Sequence, residues 1–166
     1  MTNKQNFTPE EWTRVLESVM LSGIAVSAAD PSGLWGTFKE AFASKSALAA
    51  SKLDPASNEL IKAVIADLET KEARSSIREV LHERFDGVEP NEVVQRSLDD
   101  LKAVSVILDA KAPGDAAAFK ALLCGISQKV AEATPEGGFL GFGGVNVSDA
   151  EKATLSDIEK ALGRTA

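Results

Sequence analysis

Along most of this chain apolar residues return every three or four positions, the period of an amphipathic helix. Trp12, Val15, Leu16, Val19, Gly23, Ile24 and Val26 open the series. The second half of that run is apolar nearly all round, which predicts a helix buried in the middle of the molecule. Leu34, Trp35, Phe38 and Phe42 keep the spacing to about Ala50, and Leu60, Ile61, Val64, Ile65 and Leu68 share one face of a third segment. Further stripes are Ile77, Val80, Leu81 and Phe85, then Val94, Leu98, Leu101 and Leu108, then Phe119, Leu122, Leu123, Ile126 and Val130. Leu155, Ile158 and Leu162 make a short last one. The alternation at Val145, Asn146 and Val147 is too short for a strand.

Caps and prolines mark where these helices begin and end. Thr8-Pro9-Glu10-Glu11 reads as a capping box, with Phe7 and Trp12 placed as a hydrophobic staple. Pro31, Pro55, Pro90 and Pro113 each stand where a helix opens, since proline fixes φ and lacks the N–H that an inner turn needs. Asp30 and Asp54 are the caps expected ahead of the first two. Asp86–Gly87 and Thr134–Pro135 are stops, and Ser148 with Glu151 forms a second capping box. The polar stretch Glu69–Ser76 contains neither glycine nor proline, leaving residues 56–85 as one helix or two; Thr70 as a cap favours two. The expected fold is all-α, a compact antiparallel bundle of six to seven helices in a single domain over 1–166, most buried at 12–28 and 116–130.

Composition narrows the role. The 166 residues are 44% hydrophobic and 26% charged, with few aromatics and no tyrosine, which suits closely packed helices. The formal charge is −7 with lysine and arginine scattered, so the basic stripe of a nucleic-acid surface is missing. Acidity also opposes anionic membrane surfaces, and the nearly charge-free Ser18–Ala29 is too short to span a bilayer. Cys124 is the single cysteine, so no internal disulfide forms, and its apolar setting reads as core filler. Met1–Phe7 is polar and lacks the apolar run of a signal peptide, so the expected location is cytoplasmic.

Three features invite chemistry or binding. In Glu136–Ser148, Gly137, Gly138, Gly141, Gly143 and Gly144 alternate with Phe139, Leu140, Phe142, Val145 and Val147. The segment lacks the Gly-Lys-Ser/Thr of a phosphate loop, and the acidic Asp149 and Glu151 after it repel anions. It reads as a plug on the end of the bundle or, if exposed, as an adhesive binding loop. Glu79-Val-Leu-His82 has the Glu-x-x-His spacing of a metal-binding bundle helix. A di-iron site wants that motif twice, and His82 is the only histidine, so Glu79 and His82 would need help from glutamates such as Glu17 or Glu40. Trp35, between Gly33 and Gly36, sits where a small pocket or a close helix contact forms. No Ser–His–Asp set, zinc spacing or dinucleotide fingerprint is present.

Gly137–Glu151, together with Asp30-Pro31-Ser32-Gly33 and Phe7-Thr8-Pro9-Glu10-Glu11-Trp12, resembles a set of short uncharacterised bacterial all-helical proteins carrying a GGFLGFGGV-type turn. The shape is also similar to ferritin-like and tellurite-resistance-type bundles. The resemblance implies the fold and brings no activity. The expected function is a non-enzymatic partner- or ligand-binding module, with Gly138, Phe139, Gly141, Phe142, Gly143, Gly144 and Trp35 as binding residues. Its partner is an unidentified protein or a small apolar ligand, with a homodimer as a further possibility and no cofactor. The alternative is a ferritin-like bundle holding iron or another divalent metal at Glu79 and His82.

Overall fold

A computed structural model describes residues 2–30, 58–133 and 147–164. Six α-helices occupy them: α1 Pro9–Ala29, α2 Glu59–Glu69, α3 Lys71–Phe85, α4 Pro90–Lys111, α5 Pro113–Ala133 and α6 Asp149–Ala161. A short 3-10 turn, Lys4–Asn6, precedes them, and there is no strand among the described residues. The protein is an all-α helical bundle.

The helix ends follow from their caps. Thr8 Oγ1 accepts from the Glu11 N–H at 3.2 Å, and Glu11 Oε2 accepts from the Thr8 N–H at 2.8 Å. The Phe7 and Trp12 rings lie 5.4 Å apart, completing the staple. Residues 56–85 do not form one helix. Thr70 takes extended φ/ψ, ends α2, and turns its hydroxyl to the Ala73 N–H as the N-cap of α3. Gly87, at φ +68°, makes the turn out of α3 that a side chain would strain. Pro90 and Pro113 occupy first-turn positions of α4 and α5.

One expected start is corrected. The helix bearing Leu60, Ile61 and Val64 does not run from Pro55, because Asn58 is extended (φ −73°, ψ 171°) and caps α2 by accepting from the Ile61 N–H. An Asn side chain one position ahead of the helix is well placed to take its free amides. The segment of Leu34–Phe42 lies outside the described residues.

α1 is the hub. It packs most extensively along α4, then α5, and also touches α6, α3 and α2. A helix buried on most sides must dispose of its hydroxyls internally. Ser18, Ser22 and Ser27 do so by donating to the carbonyls of Val15, Ser18 and Gly23 at 2.6, 2.8 and 2.9 Å. Small buried residues on its neighbours, among them Ser97 and Ser105 of α4 and Ser127 of α5, let the backbones approach. The apolar interior runs continuously from Phe7 and Trp12 through Leu101, Leu108, Phe119 and Leu123 to Ile158 and Leu162.

Candidate functional site

Among the described residues, α5 turns outward a face made largely of glycine and alanine. The inner side of this helix is set by Ala116, Phe119, Leu123, Ile126 and Val130, all buried. Ser127 fixes its depth: the hydroxyl lies 3.0 Å from both the Ser22 carbonyl of α1 and the Leu123 carbonyl one turn back. With that side turned inward, Gly114, Ala117, Ala118, Ala121 and Gly125 come to the outer side and are exposed. Their spacing places them on one continuous ridge about three turns long.

Charge has been drawn off this ridge. Lys120, which could have reached it, is 7% exposed and turns its ammonium to α4, where both Asp109 oxygens lie at 2.7 Å. Along one side Arg164 donates to the Ala117 carbonyl at 3.3 Å, and Cys124 is half-buried. Burial pushes the Cys124 thiol up, Arg164 pulls it back and Glu159 adds to the rise. At the far end Gln128 donates to Glu132 at 2.8 Å and Lys129 is exposed.

Gly125 is the informative residue. In mid-helix a glycine costs about 1 kcal/mol relative to alanine. An added Cβ there would meet no atom of the described residues within 4 Å, so no packing among them requires glycine.

The other polar constellations are spent on holding helices together. Glu17, 4% exposed, accepts from Arg84 Nη2 at 3.1 Å, while Arg84 Nη1 reaches Asp100 at 2.8 Å, so α1, α3 and α4 meet at one guanidinium. Asp67 accepts from the Trp12 indole at 2.7 Å and from Lys4 at 3.1 Å. Partial burial raises the Asp67 carboxyl, but the Trp12 and Lys4 hydrogen bonds and the Lys4 charge outweigh it and hold the group below its ordinary value.

The residues singled out from sequence fall elsewhere. Gly138, Phe139, Gly141, Phe142, Gly143, Gly144 and Trp35 lie outside the described residues, as does Glu40. Glu79 and His82 are both exposed on α3, and Glu17 is already engaged by Arg84. Among the described residues no group of three or more histidines, cysteines or acids could hold a metal ion. Among the described residues the charged side chains that act on Cys124 are Arg164 and Glu159. No helix of the described residues is long and apolar enough to cross a membrane. Sequence reasoning missed the α5 ridge, although the run Ala116-Ala117-Ala118 and a glycine within a helical stripe were its visible signal.

No protein-family profile matches the chain, and no curated protein or solved structure matches it either.

Proposed function

We propose that this chain is a non-catalytic helical module that receives a helix of a partner protein on the outer ridge of α5. The observation that carries the reading is Gly125, a mid-helix glycine whose cost to the helix is repaid by no contact among the described residues. Glycine and alanine on a ridge allow a second helix to approach more closely than larger side chains do. Charged side chains lie at the edge and far end of the ridge, at Arg164, Lys129 and Glu132, and not among Ala117, Ala118, Ala121 and Gly125, which limits the ions a guest must desolvate. The single cysteine, which leaves no internal disulfide, supports a cytoplasmic setting. The apolar residues of segment 137–147 belong to the same role as a second contact.

The test is affinity capture from a lysate with the tagged full chain, comparing wild type with Ala121→Glu and Gly125→Leu. All three should melt within a few degrees of one another, because both positions face solvent. A protein held by wild type and lost by both variants is the expected result; equal retention by all three overturns the reading. Sedimentation of the same proteins identifies the guest as a second copy if wild type is a dimer and Ala121→Glu a monomer. Phe142→Ser probes the second contact in the same assay.

A further inference from the structure

We draw no further inference here: the strongest candidate, the fully buried carboxylate of Glu151 at the N-terminus of α6, leaves Oε1 without a hydrogen-bond partner among the described residues, but no second group among them points to a ligand that would take it.

Discussion

Arg84 Nη2 stands 3.1 Å from Glu17 Oε2, joining the last turn of α3 to a carboxylate that α1 holds almost entirely out of water. A buried charge is tolerated when paired and costly when its partner is removed. Arg84→Met should therefore lower unfolding stability by about 3 kcal/mol. The double variant Glu17→Leu/Arg84→Met should recover a large part of that loss, since no orphaned charge remains inside. Urea denaturation of the four proteins of the cycle measures it. A double variant as unstable as the two single losses combined would show that the pair is not coupled.

A second polar contact gives a pH dependence. The folded Asp67 carboxyl is held below its ordinary value by Trp12 and Lys4 against the upward push of burial. A depressed carboxyl contributes stability that is present above its unfolded value and lost as pH falls through the folded one. Wild type should thus lose stability on acidification more steeply than Asp67→Asn, which keeps an oxygen for the indole but carries no charge for Lys4. Asp67→Ala, which orphans an indole N–H on a ring only 3% exposed, should cost about 1–3 kcal/mol at neutral pH. Parallel acid titrations followed by circular dichroism decide the point, and superimposable wild-type and Asp67→Asn curves would contradict it.

Replacing Gly125 with alanine should stabilise the fold. The new methyl meets no atom of the described residues within 4 Å, and the helix gains about 0.5–1 kcal/mol from the better propensity and the stiffer unfolded chain. Thermal melts of Gly125→Ala against wild type read this directly. A loss of stability would mean that a neighbour within the protein does need the glycine, and the argument for a guest helix would go with it.

Cys124 should be a sluggish thiol. Burial raises it above an ordinary cysteine, with Glu159 adding to the effect and Arg164 opposing it. Only the thiolate attacks alkylating reagents. Iodoacetamide should therefore modify Cys124 at neutral pH more slowly than it modifies a small free thiol. Arg164→Ala should slow it further. Mass spectrometry over a time course gives the rates, and an Arg164→Ala rate above wild type would overturn the electrostatic account.

The capping box at Ser148 offers a check on α6. Glu151 is fully buried and gives Oε2 to both the Ser148 amide and its hydroxyl, each at 2.9 Å. Glu151→Ala should cost about 1–2 kcal/mol, because it removes one half of the reciprocal cap. Glu151→Gln keeps an oxygen for Ser148 and should cost less. Equal losses in chemical denaturation would place the side chain's worth in its charge rather than in the cap.

Much of the architecture could be read directly from local signals. The Thr8 and Ser148 boxes, the break at Thr70, the stop at Gly87 and the starts at Pro90 and Pro113 all depend on residues within a few positions of one another, so spacing is enough to find them. The start of α2 went astray because the Asp54–Pro55 signal drew attention from Asn58, whose side chain caps the helix. Glu17 shows the opposite case. Its position suggested a possible metal ligand, yet it is neutralised by an arginine from another helix, far along the chain, which no local pattern announces.

By itself, then, the order of residues determined that this protein is helical and where most of its described helices begin and end, because capping and periodicity act over one or two turns. Only the tertiary structure decided which sides of those helices meet. It turned Lys120 inward to Asp109, drew Arg84 between Glu17 and Asp100, and left Ala117, Ala118, Ala121 and Gly125 facing water. Those outcomes depend on contacts between residues distant in the chain, where burial and charge pairing, rather than local propensity, select the arrangement.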